Sequence, residues 1–263
     1  MIERFRVNAR VVRALGWRAV KQTARRPQLA APLILFPTAL LAIQTGGAGG
    51  AVNLPQFPEV NGFLDFMLAG AMVQSVLLAG NSGAIALALD IESGFTDRLF
   101  AAPISRFAIV LGRLAGTAVL GAFVGAWFIL LGLVFGAEIQ EGVLGAIWIV
   151  LMISVSALAF GAIGASIALR TSSPSVVQGF FPLLFVILFL STAFFPANLM
   201  LEPAASVAEY NPLSFIVEGL REPIVSEWDG ADELKAIASV LAIGAIGLLM
   251  CASALRGRVR RGV

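Results

Sequence analysis

The chain has no histidine, a single cysteine (Cys251) and only two lysines (Lys21 and Lys235) among 263 residues. Without histidine, a Ser-His-Asp triad cannot be assembled. One cysteine excludes a disulfide within the chain, and with no histidine beside it the usual His/Cys zinc site is excluded too. A phosphate-binding P-loop needs Gly-x-x-x-x-Gly-Lys-Ser/Thr, so that backbone amides and a lysine hold the phosphates. Neither lysine has that context, so no ATP hydrolysis is expected from this chain. Charge is scarce as well: 13% of residues are charged and 59% are hydrophobic. The mean hydropathy is +0.91, far from that of a soluble domain. Asp65 and Asp90 stand near the two ends of one apolar run, and no acid occupies the middle of any run. That weighs against a proton-coupled carrier, which needs an ionisable group at membrane depth. No catalytic carboxylate pair is visible, so the expected catalytic, cofactor and metal residues are none.

What the chain does have is apolar length. Six runs, 29–45, 63–89, 107–135, 143–169, 176–195 and 234–255, approach or exceed the roughly 20 residues that cross a bilayer. The first carries Pro32 and Pro37, which a membrane helix tolerates when neighbours satisfy the freed carbonyls. The basic residues alternate between the runs. Eight of the 18 precede Pro27, and Arg256, Arg258, Arg260 and Arg261 close the chain. Arg98, Arg106 and Arg113 follow the second run, and Arg170 follows the fourth. The stretches after the first and third runs have none, and the long stretch after the fifth sets Arg221 and Lys235 against eight acids. Basic residues stay on the cytoplasmic side during insertion, so the alternation predicts six crossings with both termini in the cytoplasm. Arginine outnumbers lysine and alanine is abundant, a composition that suits a GC-rich bacterium and hence a bacterial plasma membrane. Because the basic residues flank apolar spans, membrane lipid and not nucleic acid is the expected partner.

Residues 1–27 place Val11, Val12, Leu15 and Ala19 on one side and Arg10, Arg13, Arg18, Lys21 and Arg25 elsewhere. That pattern predicts an interfacial helix on the inner leaflet. In the inner loop 90–106, Ile91, Phe95, Leu99 and Ala102 fall on one helical face, and Glu92, Ser93, Thr96 and Asp97 lie mostly around the other. Pro103 stops this helix, Ser105 can cap the next span, and Arg106 and Arg113 can snorkel to the inner headgroups. In the outer stretch 196–233, Pro196, Pro203, Pro212 and Pro223 punctuate segments too short to span. Glu218 and Arg221 are i,i+3 neighbours that can pair. Gly161, Gly164 and Ala165 permit close helix approach.

The string Asp90, Gly94, Arg98, Pro103, Ser105, Arg106, Leu111, Gly112 and Arg113 resembles the signature of type-2 ABC exporter permeases, most closely the daunorubicin-resistance permease branch. A second match is Pro196, Pro203, then Tyr210-Asn211-Pro212-Leu213 and Glu218-Gly219-Leu220-Arg221. One departure is Ala204-Ala205, where that family usually has an aromatic. The resemblance covers nearly the whole chain in order and topology, and its specific motifs cover the two loops. It implies an all-α integral membrane fold in a single domain, 1–263. Six transmembrane helices would join the N-terminal interfacial helix, a cytoplasmic coupling helix in 90–106 and two short re-entrant outer helices in 196–233.

The resemblance further implies a permease subunit that exports an amphipathic drug, lipid or glycolipid. It would work with two copies of a separate ATP-binding subunit, which carries ATP and Mg, and with a second permease, identical or homologous. The implied coupling residues are Asp90, Ile91, Glu92, Ser93, Gly94, Phe95, Asp97, Arg98, Leu99, Ala102 and Pro103. Phe95 and Leu99 would bury against the ATPase, and Glu92, Asp97 and Arg98 would form a polar rim. The implied outer residues are Pro196, Pro203, Asn211, Pro212, Glu218 and Arg221. Gln74 and Asn81 share one face of the second span, and Phe185 and Phe189 belong to a Phe-rich fifth span. These four either line a translocation path or serve interhelical hydrogen bonding and lipid contact. The other classes open to the residues are an ion-coupled secondary transporter and a non-transport membrane module of the same fold.

Overall fold

The structure, a computed structural model, describes residues 2–25, 27–102, 104–226 and 230–260. Its helices are α1 (Ile2–Ala24), α2 (Pro27–Ala48), α3 (Phe63–Glu92), α4 (Phe95–Phe100), α5 (Arg106–Val134), α6 (Gly142–Thr171), α7 (Pro174–Phe189), α8 (Ala204–Tyr210), α9 (Pro212–Val225) and α10 (Ala231–Arg260). No strand occurs among the described residues. Five stretches there are long and apolar enough to cross a membrane: Ala31–Asn53, Phe63–Glu92, Arg106–Val134, Gly142–Thr171 and Ala231–Arg258. The helix α7 is apolar but has only 16 residues.

The helix ends follow from local chemistry. At the end of α3 the amides of Ser93 and Gly94 return to the carbonyls of Leu89 and Ile91, at 3.0 and 2.9 Å. Gly94 has φ +70°, a left-handed closure that a residue without Cβ adopts at no steric cost. Ser105 caps α5 as expected, accepting from the Ala108 amide at 3.4 Å. Asn211 caps α9, its Oδ1 accepting from the Leu213 amide at 2.9 Å, and Pro212 takes the first helical position, where its missing N–H costs nothing.

Two elements differ from the sequence expectation. The fifth apolar run was expected to be continuous over 176–195, but α7 stops at Phe189. The Asn211 side-chain amide donates to the carbonyls of Ile187 and Leu190, both at 2.8 Å, and the Ser191 hydroxyl donates to Leu188. These donors satisfy the freed carbonyls and let the chain turn. The glycine-rich stretch after the first run begins in helix: α2 runs to Ala48, and a tighter 3-10 turn, Gly49–Asn53, follows.

At the centre lies α3, with Phe66, Met67, Val76, Leu77 and Leu87 fully buried. Around it pack α2, α5, α6, α7 and α9, and α6 also packs on α5 and α10. Small residues bring these backbones together, as the sequence predicted for α6. A Cβ placed on Gly164 would lie 2.5 Å from the Ala84 Cβ, and one on Gly80 3.0 Å from the Gly161 amide. The predicted apolar face of α1 is docked on protein rather than on the bilayer alone. A Cβ on Gly112 of α5 would meet Leu15 at 2.7 Å, and one on Gly116 would meet Ala19 at 2.4 Å. In contrast, α7 buries only Val177 and Leu188 within the chain.

Candidate functional site: an ion cluster behind a six-residue helix

The basic end of the bundle gathers the start of α5, the ends of α3 and α10, the helix α1, and the short helix α4. Asp90, in the last turn of α3, is buried between two guanidiniums. Arg113 of α5 pairs with its Oδ2, and Arg18 of α1 reaches the same oxygen at 3.1 Å. Gln22 of α1 accepts from Arg113 at 3.4 Å. Arg113 had been expected to snorkel toward headgroups. It is instead only 7% exposed, because it stands two turns inside α5, where an ionic partner of opposite sign is within reach and solvent is not. Beside this cluster lies a cavity of about 290 Å³ whose polar lining includes Gln22, Thr23, Ser82, Asp90, Arg113 and Thr117.

The helix α4 is held from three sides. The Arg18 guanidinium lies 3.9 Å above the Phe95 ring, and that of Arg106 lies 5.3 Å from the Phe100 ring. Arg258 of α10 approaches the Asp97 carboxylate at 4.0 Å. Among the predicted coupling residues, Asp90 and Ile91 are buried, and Gly94, Phe95, Asp97, Leu99 and Ala102 are half-buried. Glu92, Ser93 and Arg98 are exposed, and Pro103 lies outside the described residues. The apolar face expected to meet a partner is turned into the chain. Ile91 and Phe100 belong to the inner apolar cluster, Leu99 packs against it, and Phe95 sits under Arg18. Burying these side chains on the bundle removes apolar surface from water without a second subunit. The outward face that remains is polar: Glu92, Ser93 and Arg98, with Ala101.

At the far end a second guanidinium joins three segments. Arg221 of α9, 4% exposed, pairs with Glu218 at 2.6 Å, as the spacing predicted. It also donates to the Phe66 carbonyl of α3 at 3.1 Å and to the Thr192 carbonyl at 2.8 Å. Its guanidinium lies 3.8 Å over the Phe66 ring, and the Thr192 hydroxyl donates to Glu218. Pro203 stands just before α8 without a side-chain capping bond, and Pro196 is buried where the chain leaves α7. Trp148 of α6 donates to the Gly219 carbonyl at 2.8 Å. Of the residues expected to line a path, Gln74 is fully buried, and its amide has no hydrogen-bond partner among the described residues. Asn81 is half-buried, and its neighbour Ser82 lines the polar cavity by Arg113. Phe185 lies 4.7 Å from Phe181 and 6.2 Å from Phe36 of α2, and Phe189 stacks on Phe194 at 4.9 Å.

Sequence reasoning missed Arg18, Gln22, Arg258 and Thr192, and misdirected Arg113. One signal was available: Asp90 stands at the end of one apolar run and Arg113 two turns inside the next, where an unpaired charge is costly.

Apolar helices in this number define a multi-pass membrane protein. The sequence profile of the ABC-2 type transporter family matches residues 10–225, and the chain belongs to that family. It is similar to the daunorubicin resistance ABC transporter permease protein DrrB1 of Streptomyces coeruleorubidus. The two are 26% identical over 242 residues, covering 90% of this chain and 78% of the relative.

Proposed function

We propose that this chain is the membrane-spanning permease subunit of an ATP-driven exporter, and that α4 with its flanking residues is where a separate ATP-binding subunit pushes. The observation that carries the reading is the six-residue helix α4. Glu92 and Ser93 at the end of α3 and Arg98 of α4 make an exposed polar face beside it, while α4 is held on its inner side by Arg18, Arg106 and Arg258 from α1, α5 and α10. A force applied there reaches three long helices at once.

The proposed assembly holds two ATP-binding subunits, which carry ATP and Mg, and a second permease, identical or homologous. The chain crosses a bacterial plasma membrane six times, with α7 and the apolar turn 190–195 that extends it together making the fifth crossing, and both termini in the cytoplasm. On this reading, α8 and α9 re-enter from the outside. At 14 residues α9 is about 21 Å long, short of a roughly 30 Å hydrocarbon core. It packs where α3 and α10 begin, as the bonds of Arg221 to Phe66 and the approach of Gly219 to Ala236 describe. The cargo is an amphipathic drug, lipid or glycolipid, in keeping with the relative's name and the exposed phenylalanines of α7.

The test is co-expression with the ATP-binding subunit and reconstitution in vesicles. Arg98→Glu and Glu92→Lys change exposed side chains, so insertion and thermal stability should stay within about 0.5 kcal/mol of the parent. Cargo flux and permease-stimulated ATP hydrolysis should each fall at least about tenfold, the loss of roughly 1.4 kcal/mol of docking free energy. Unchanged stimulation in both variants would remove α4 as the docking element.

A further inference from the structure

Between α1 and α5 runs a cavity of about 1060 Å³. Its polar lining consists of Asn8, Arg10, Arg13 and Ser105, and no carboxylate is among the lining residues described. Its α5 wall is apolar, through Phe107, Leu111, Ala115 and Val119. The close approaches of Val12 and Leu15 to Gly112, and of Ala19 to Gly116, set the register. The two helices advance in the same sense, so Asn8 and Arg10 stand level with the start of α5, near Ser105, and Val20 stands nearer Val119. The groove therefore gathers its guanidiniums at one end, beside Ser105, and has an apolar wall toward the other, where the Lys21 ammonium lies 5.9 Å from the Trp17 ring at the rim. From Ser105 to Val119 its wall rises about 21 Å, close to half of a bilayer with its headgroup layer. The outer rim is Trp17, 62% exposed, and Val119, 50% exposed, both open to the surroundings of the bundle.

We propose that this groove is a binding site for one anionic phospholipid, its phosphate held by Arg10 and Arg13 and an acyl chain laid along Leu111, Ala115 and Val119. The all-cationic lining selects an anionic headgroup over a zwitterionic one, and the graded polarity sets its direction. The site rests only on insertion in a membrane, not on the exporter reading, because lipid retention is measured without nucleotide or ATPase.

The full chain is purified in nanodiscs of equal dioleoyl-phosphatidylglycerol and dioleoyl-phosphatidylcholine, released gently, and weighed by native mass spectrometry. The parent should keep one phosphatidylglycerol per chain in preference to phosphatidylcholine. The double variant Arg10→Gln/Arg13→Gln should reduce that retention by at least about tenfold, as expected for two interfacial charges. Val119→Trp, which fills the tail end, should also displace the lipid, and Arg25→Gln, a basic residue outside the groove, should retain it. Equal retention of the two lipids by the parent would overturn the site. So would undiminished retention in the double variant or in Val119→Trp, or a loss in Arg25→Gln as large as in the double variant, which would mark a diffuse basic surface.

Discussion

Arg18 on the first helix and Asp90 at the end of α3, 72 residues apart, meet at 3.1 Å, and Arg113 pairs with the same carboxylate from the third side. The cluster ties α1 to the two helices that flank α4. Asp90→Asn should strand the Arg113 guanidinium in a buried place without a counter-charge. The expected loss is about 3–5 kcal/mol of stability, and Asp90→Leu/Arg113→Leu should regain most of it. Thermal unfolding in detergent compares the three. Equal stability of parent and single variant would mean that the pair is not buried as described.

Arg18 is 38% exposed on its side chain, so its share of that stability is small, about 1 kcal/mol or less. Its second contact, over Phe95, reaches α4 directly. Arg18→Ala should therefore leave unfolding nearly unchanged but lower ATPase stimulation severalfold in the reconstituted complex. A large drop in melting temperature with normal stimulation would reverse this assignment.

At the far end, Arg221 makes one ion pair and two backbone bonds. Arg221→Met should cost about 3–5 kcal/mol, since it leaves two carbonyls without that donor and Glu218 without its counter-charge, held only by the Thr192 hydroxyl. Glu218→Gln keeps an acceptor but removes the counter-charge of a guanidinium that is only 4% exposed, and should cost a similar amount. Trp148→Phe removes one bond to the Gly219 carbonyl and should cost about 0.5–1.5 kcal/mol. Denaturant titration of the three variants gives this order or contradicts it.

A Cβ on Gly70 would lie 2.2 Å from the Ala193 carbonyl oxygen. Gly70→Ala should force α3 away from the turn after α7, at about 1–3 kcal/mol for an overpacked contact. Gly179→Ala, with open space around it, serves as the control and should be neutral or slightly stabilising. If both behave alike in thermal unfolding, the close approach at Gly70 is not part of the fold in the membrane.

Cys251 is fully buried, its thiol donating to the Ala162 carbonyl at 3.1 Å, so the parent should give almost no background with a membrane-impermeant maleimide. Ala101→Cys and Ser206→Cys replace exposed residues next to α4 and in α8. In intact cells only Ser206→Cys should label, and Ala101→Cys should label after lysis. Labelling of both from the outside would break the proposed topology.

Hydropathy and charge alternation made the long helices legible, because length and apolarity are summed over many residues and tolerate local error. One cap was legible too: Ser105 carries its chemistry next to the helix it starts. The Glu218–Arg221 pair was legible for the same reason, being one helical turn apart. The end of α7 was not, since it is set by an Asn211 side chain more than 20 residues further on. Nor was the inward turn of Phe95 and Leu99. A helical face predicts that side chains gather, not which neighbour covers them, and here Arg18 and the inner cluster do. Long-range ion pairs such as Arg18 with Asp90 leave no periodic trace at all.

Both ends of α3 are pinned by arginines from other helices, Arg221 at Phe66 and Arg113 at Asp90. Its 30 residues make a strut about 45 Å long with no proline to bend it. A straight strut of that length, pushed at one end, rocks about its middle. A rotation of about 5° about its midpoint carries each end about 2 Å in opposite directions. A small nudge at one face of the bilayer thereby becomes an equal and opposite step at the other.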